Sequence, residues 1–327
     1  MIPLACREIR PTLPLRANDG AATVALGGSV TASARIFADQ WTLLILRSLF
    51  QGDSRFSELA ASVDGVADGV LDNRLSALTA QMIVMADGTR GREVRYRLTD
   101  RGRDTFRIAL AIWAWEFEWL PGAGSRRMLH ATCGESATPV LGCGECRTEL
   151  SLREVVADVG PGVWVESPQP KRIRRRATAA PGMDAQDILL SRETTETIGN
   201  FWSVAILAAA FVGVRRFTDF QRSLGIPPRV LSSRLDSLVR SGVFWKRSYS
   251  GHARRFDYLL TGKGKNLYHF ILMLMRWGDT WLAPGGPPVE IRHLACEKRF
   301  VPSQFCSVCW DELVVDEVIL DRAPRAS

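Results

Sequence analysis

The chain is written twice, and that duplication limits its fold more than any other feature. Trp41-Thr-Leu-Leu-Ile-Leu46 returns as Trp202-Ser-Val-Ala-Ile-Leu207, an offset of 161 (202 − 41). Arg55-Phe-Ser-Glu58 returns as Arg216-Phe-Thr-Asp219 at the same offset. Val70-Leu71 with Arg74-Leu75 returns as Val230-Leu231 with Arg234-Leu235, and Leu98-Thr99 with Gly102 as Leu260-Thr261 with Gly264. Trp115 and Trp119 match Trp277 and Trp281, and His130, Cys133, Cys143 and Cys146 match His293, Cys296, Cys306 and Cys309. An offset that drifts only from 160 to 163 describes one unit copied whole, with short indels in loops. Whatever one copy folds into, the other must fold into as well.

A length of 327 residues sets a prior of two or three domains. The landmarks divide the chain into a tail (1–26), a first repeat (27–120) with a Cys-rich extension (121–158), a linker (159–190), a second repeat (191–282), and a second extension with its tail (283–327). The linker contains Gly-Pro-Gly, further prolines and the run Lys171-Arg-Ile-Arg-Arg-Arg176. That run is either a solvated segment or an arm lying on DNA phosphates. Hydrophobic residues at 46% and charged residues at 24% exclude disordered and low-complexity classes. The longest apolar run, Trp202 to Val214, falls short of the ~20 residues that cross a bilayer. The N-terminus lacks the order of a signal peptide, so a cytoplasmic location without membrane partners is expected. Net charge is +7, a mild excess that suits a polyanion.

Within one copy the apolar spacing predicts a helix over Ile36–Phe50, stopped by Gly52, and a short helix over Phe56–Val63. A third helix over Gly69–Gln81 carries Val70, Leu71, Leu75 and Leu78 on one face. Ile83–Met85 and Val94–Leu98 read as two strands around Gly88 and Gly91, and a last helix carries Phe106, Leu110, Trp113 and Phe117. That order is a winged helix-turn-helix, whose third helix can enter a major groove. The expected class is therefore α+β, mainly α with small β-hairpins. It comprises two tandem winged helix-turn-helix domains, each followed by a small Cys-rich extension.

Trp41-Thr-Leu-Leu-Ile-Leu-Arg47, Arg55-Phe-Ser-Glu-Leu59, Val70-Leu71 with Arg74-Leu75, and Tyr96-Arg-Leu-Thr-Asp-Arg-Gly102 together resemble the HxlR-type transcriptional regulators. The resemblance spans about 36–120 and again about 198–282. It implies winged-helix DNA-binding proteins that dimerise through terminal helices. Most relatives carry one repeat, so this chain is expected to build that dimer inside one polypeptide. Two departures stand out. The redox cysteine that many relatives place before the first helix is missing, since Cys6 lies far upstream and only in the first copy. The serine expected at the recognition-helix N-cap is Ala67 in one copy and Pro227 in the other. Asp68 is the candidate to take over that cap, and Pro228 suits a first helical turn.

A recognition helix needs hydrogen-bonding side chains near its start and cations on its flanks. The second copy supplies Arg229, Ser232, Ser233 and Arg234, with Arg254 and Arg255 in its wing. The first supplies Asn73 and Arg74, with Arg92 and Arg95 in its wing, but also Asp68 and Asp72. Carboxylates face phosphates unfavourably, so the second copy is expected to dominate DNA affinity. Arg74 and Arg234 suit either DNA or a salt bridge that ties the helix to its neighbour.

Six of the seven cysteines fall in two sets of His-x2-Cys-x9-Cys-x2-Cys: His130, Cys133, Cys143 and Cys146, then His293, Cys296, Cys306 and Cys309. Each set reads as one tetrahedral structural Zn²⁺ site, closed by four protein ligands. Buried reduced thiols and a redox pair are the alternatives. Apolar alternation over Leu150–Val156 and Leu313–Ile319 predicts a strand packing back on each set. The paired tryptophans Trp115–Trp119 and Trp277–Trp281 read as core and interface, or as the wall of a pocket for an unknown small effector. No Gly-rich phosphate loop, nucleophile elbow or HExxH run points to an enzyme.

The expected function is a DNA-binding transcriptional regulator, a repressor, using both repeats as an intramolecular pair on double-stranded DNA with an imperfect palindrome. Further homodimerisation stays open. The alternative is a protein-interaction scaffold whose DNA binding is reduced or lost.

Overall fold

The computed structural model describes residues 28–52, 54–63, 65–88, 94–120, 126–151, 154–162, 190–248 and 255–322. Its first copy runs α1 (Ser29–Phe37), α2 (Gln40–Phe50), β1 (Ser54–Arg55), α3 (Phe56–Ser62), α4 (Asp68–Ala80), β2 (Val84–Asp87), β3 (Arg95–Leu98), α5 (Asp100–Arg103) and α6 (Phe106–Trp119). An extension follows with β4 (Arg126–His130), β5 (Glu135–Ala137), β6 (Pro139–Cys143) and β7 (Val155–Val159). The second copy repeats this order as α7 (Arg192–Ile198), α8 (Phe201–Phe211), α9 (Phe217–Leu224), α10 (Pro228–Arg240), β8 (Phe244–Ser248), β9 (Phe256–Leu260), α11 (Gly262–Asn266) and α12 (Tyr268–Trp281). Its extension holds β10 (Val289–His293), β11 (Pro302–Cys306) and β12 (Val318–Arg322).

Each winged helix follows from its own sequence. Leu71, Leu75 and Leu78 lie on one face of α4, and Leu231, Leu235 and Leu238 on one face of α10; all six are buried. The Leu-Thr-x-x-Gly segment closes the wing in both copies. Thr99 Oγ1 accepts from Gly102 N and Thr261 Oγ1 from Gly264 N, both at 3.1 Å, capping α5 and α11. A Cβ on Gly102 would meet the Ile83 carbonyl oxygen at 2.1 Å, and one on Gly264 the Val243 oxygen at 2.2 Å. Only glycine lets these turns sit on the strand entrance.

Two local expectations are corrected. The helix foreseen over Ile36–Phe50 is broken, because Asp39 leaves helical geometry to cap α2 through Thr42 N at 3.1 Å. Asp68 is not a cap: α4 begins after Ala67 with no side-chain cap bond, and Asp68 is its first residue. Pro228 does open α10, after Pro227.

The copies pack on each other through their end helices. α12 of the second copy lies on α1 of the first, and α6 packs on α12. Trp115 Nε1 donates to Lys263 O at 2.9 Å, and its counterpart Trp277 Nε1 donates to Arg101 O at 3.1 Å. Where α12 meets α1, Ser29 Oγ donates to Asp279 Oδ1 at 2.5 Å, and a Cβ on Gly278 would reach Ser29 O at 2.5 Å. Where α6 meets α7, buried Glu116 accepts from Leu190 N at 3.2 Å, Ser191 N at 2.8 Å and the Thr194 hydroxyl.

The extensions interlock. β6 pairs antiparallel with β11, β4 with β12 and β10 with β7, so each of these pairs joins two copies. In the β6–β11 ribbon Leu141 faces Gln304, its own counterpart. Asp39 and Asn200, also counterparts, form an isolated bridge. An approximate two-fold axis runs through both contacts. The strands foreseen over Leu150–Val156 and Leu313–Ile319 lie later, at β7 and β12, and pack on the other copy rather than back on their own.

Candidate nucleic-acid interface and metal centres

Burying the leucine face of α4 and α10 leaves the opposite face outward. On α10, Arg229, Ser232 and Ser233 are exposed; on α4, Asp68, Asp72 and Asn73 are exposed. Asn73 Nδ2 donates to Gly69 O at 2.6 Å, within its own helix. Arg74 donates from Nε and Nη2 to the two oxygens of Asp39, both at 2.9 Å. The same Asp39 caps α2, so this bidentate pair pins the recognition helix to the helix behind it. In the second copy Asn200 takes the place of Asp39 and caps α8 through Trp202 N at 3.0 Å. Arg234 is half-buried like Arg74. Arg95 and Arg255 are exposed on the wings, whereas Arg92, Arg254 and the run Lys171–Arg176 lie outside the described residues. Lys246 on β8 reaches Asp236 on α10 at 2.9 Å, tying wing to helix.

The eight His and Cys residues form two groups, but not the two the spacing suggested. One holds His130, Cys133, Cys306 and Cys309; the other holds Cys143, Cys146, His293 and Cys296. The two-ligand pieces are right and their pairing is exchanged between copies. The reason is β6. Its five extended residues carry Cys143 away from His130 and Cys133 by roughly 13 Å of strand and deliver it to the other copy.

All four two-ligand pieces share one turn. The N–H after the second ligand bonds the carbonyl of the first: Gly134 to His130, Arg147 to Cys143, Glu297 to His293 and Trp310 to Cys306, at 2.7–3.0 Å. These four residues have φ between 58° and 72°, the left-handed region. Three are not glycine and carry a cost of order 1 kcal/mol each, which the surrounding fold sustains.

Within each group the ligand atoms lie within 4.8 Å of one another. Cys133 Sγ is 3.5 Å from His130 Nδ1 and 3.9 Å from Cys306 Sγ, and Cys309 Sγ is 3.3 Å from His130 Nδ1. Cys146 and Cys296 Sγ are each 3.4 Å from His293 Nδ1. Around a tetrahedral Zn²⁺ the edges are about 3.6 Å from N to S and about 3.8 Å from S to S. The donor sets therefore fit such an ion. Both imidazoles are fully buried, and a Glu317 carboxylate oxygen lies 3.6 Å from His130 Nε2, beyond hydrogen-bond reach. All six of these cysteines are free thiols.

The thiols are unlike one another. Burial resists ionisation of Cys146, but hydrogen bonds from the Thr148 hydroxyl and backbone, and from the Cys296 and Cys143 thiols, bring it down to about 6. Cys306 is also lowered: burial is outweighed by the N–H groups of Cys309 and Val308 and by the Cys309 and Cys133 thiols. The Asp311 N–H favours the Cys309 thiolate, yet burial and the neighbouring sulfurs push it up to about 11. In each group one thiol is thus lowered while a neighbouring one is raised, Cys146 against Cys296 and Cys306 against Cys309.

The crossed pairing and the junctions formed by Glu116 and Asp279 left no local signal in the sequence. Only the internal offset, which makes any contact between counterparts occur on an axis, could have pointed to them.

The HxlR-like helix-turn-helix family matches residues 36–123 and 197–285. An uncharacterized HTH-type transcriptional regulator of Mycobacterium tuberculosis is 42% identical over 130 residues, covering 39% of this chain and 82% of that relative. One of Bacillus subtilis is 34% identical over 87 residues, covering 26% of this chain and 81% of its own length. One of Escherichia coli is 28% identical over 88 residues, covering 27% and 70%. Among the described residues no helix is long and apolar enough to cross a membrane.

Proposed function

The chain belongs to the HxlR-like helix-turn-helix family, and we propose that it is a sequence-specific DNA-binding transcriptional regulator whose two copies act as one dimer within a polypeptide. The approximate two-fold axis implied by the pairing of counterparts, Leu141 with Gln304 and Asp39 with Asn200, carries this reading. A DNA site read by two helices about such an axis has two half-sites spaced by about one helical turn or a multiple, ~10 bp each.

The half-sites differ because the helices differ. Arg229, with Ser232 and Ser233 beside it, suits base edges, arginine preferring guanine O6 and N7. Asn73 suits adenine, and Asp68 and Asp72 weaken the first copy's hold on phosphates. Arg74, engaged with Asp39, positions α4, while Arg95 and Arg255 with the wing residues Arg92 and Arg254 meet phosphates. The second copy therefore supplies most of the affinity. Repression follows from occluding a promoter. His130, Cys133, Cys306 and Cys309 would hold one Zn²⁺, and Cys143, Cys146, His293 and Cys296 another; four protein donors at each group would suit a structural ion that ties the extensions together.

A mobility shift with a randomised duplex pool tests this. Two unlike enriched half-sites are expected, with Arg229→Ala costing about 1–3 kcal/mol and relaxing specificity in one half only. Absence of any enrichment at low salt would overturn the regulator reading and favour an interaction scaffold, towards which the exposed Asp68 and Asp72 of α4 lean.

A further inference from the structure

Neither copy owns a metal site. Each group takes a His-x2-Cys piece from one copy and a Cys-x2-Cys piece from the other, so each copy contributes only two ligands to either site. We propose that a soft divalent cation at both groups is a clamp between the copies, and that its binding and the binding of DNA with two half-sites strengthen each other. The proposal rests on the regulator reading above and adds its controlling ligand.

Three observations carry it. The donor atoms sit at tetrahedral edges while coming from different copies, at 3.3–3.9 Å in the His130 group. Thiolate and imidazole select Zn²⁺-like cations over Mg²⁺ or Ca²⁺. The β6–β11 ribbon between the groups lies on the axis and is bolted to the helices below. Arg276 Nη1 on α12 donates to Pro302 O at 2.5 Å and Ser303 Oγ at 2.8 Å. Gln304 Nε2 donates to Arg107 O on α6 at 3.1 Å. Those helices in turn hold the opposite copy through Trp115 and Trp277. The register of the ribbon is therefore transmitted to the bodies that carry α4 and α10.

The coupling follows from linkage. The cation binds only when the two copies are in register, and DNA with two half-sites selects the same register, so each ligand raises the other's affinity by one common factor. A duplex with one half-site engages one copy and selects nothing.

The test uses the intact chain with Zn²⁺. Metal content is measured first by elemental analysis, for the parent and two variants. One carries His130→Ala, Cys133→Ser, Cys306→Ser and Cys309→Ser; the other carries His130→Ala, Cys133→Ser, Cys143→Ser and Cys146→Ser. Two, one and no ions are expected, in that order. One ion retained by the second variant and none by the first would overturn the crossing. Zn²⁺ affinity of the unaltered chain is then measured by chelator competition, alone and with the duplex enriched from the random pool, intact or with one half-site scrambled. The intact duplex is expected to tighten Zn²⁺ about tenfold and the scrambled one less than twofold. Equal affinities in all three would overturn the clamp and leave the regulator standing. No bound metal in the parent would overturn the clamp together with the zinc reading, and no enriched duplex would overturn it together with the regulator reading.

Discussion

The two junctions between the copies occupy counterpart positions in the repeat and are opposite in chemistry. Where α6 meets the start of α7, Glu116 reaches across and accepts two backbone N–H groups and a hydroxyl, satisfying donors that a helix start leaves open. At the counterpart position on α12 stands Gly278, which has no side chain to reach with. Instead the backbone of Ser29 moves in against it, and the next residue, Asp279, takes the Ser29 hydroxyl. A duplicated unit need not keep its helix spacing: α12 packs closely along α1, whereas α6 stands off from α7. It is free to change how the polar groups are satisfied, because any complete set of partners suffices. Asymmetry has accumulated in helix spacing and hydrogen bonding, while the cross-copy bonds of Trp115 and Trp277 stayed symmetric.

That contrast can be broken, beginning with its symmetric part. Trp115→Ala and Trp277→Ala each empty a buried site and lose the same cross-copy bond, so each is expected to cost about 3–5 kcal/mol in denaturant unfolding. A difference above about 1.5 kcal/mol between them would show that these two tryptophan sites are not equivalent in packing.

Glu116→Ala strands the N–H groups of Leu190 and Ser191 in a buried place and is expected to cost about 2–4 kcal/mol. A cost near zero would mean that water or another chain segment serves those donors. On the other side, Gly278→Ala drives a methyl to within 2.5 Å of Ser29 O and should cost about 1–3 kcal/mol. A thermal shift below that of a surface alanine would show that α1 simply slides.

Asp279 gives the smallest effect and the clearest pH signature. Burial holds its carboxyl up at about 6, against the lowering pull of the Ser29 hydroxyl and Arg299 and with a further rise from Glu290. Unfolded, it titrates near 3.9. Between those values only the unfolded chain gives up its proton, so this group's contribution falls as pH rises from 4 to 6 and stays low above. Asp279→Asn keeps an acceptor for Ser29 and never ionises. It is expected to be about 1–2 kcal/mol more stable than the parent at pH 8, with no difference at pH 4. A gap that does not close at pH 4 would assign the effect to packing.

Much of this was legible beforehand, and the reason is locality. Helices α4 and α10 were readable because leucines at 71, 75, 78 and at 231, 235, 238 announce a buried face within about two turns of chain. The break at Asp39 was not, since its cause is the demand of α2 for a cap and of Arg74, 35 positions on, for a carboxylate. At the metal centres the residue types and the two-ligand turns were readable, as each turn closes within five residues. Glu116, Gly278 and Asp279 carried no pattern, because their partners lie in the other copy.

The sequence by itself determined that there are two copies, that each is a winged helix with a Cys-rich extension, and which eight side chains offer soft donors. Only the tertiary structure decided which donors meet. With two identical sets of pieces, local spacing is satisfied whether a His-x2-Cys piece closes with its own copy or with the other. The choice is made by where β6 leads the chain and by the strand pairs β4–β12, β6–β11 and β10–β7, contacts between residues more than a hundred positions apart. No short-range pattern can encode a choice that depends on the packing of the whole molecule about its axis.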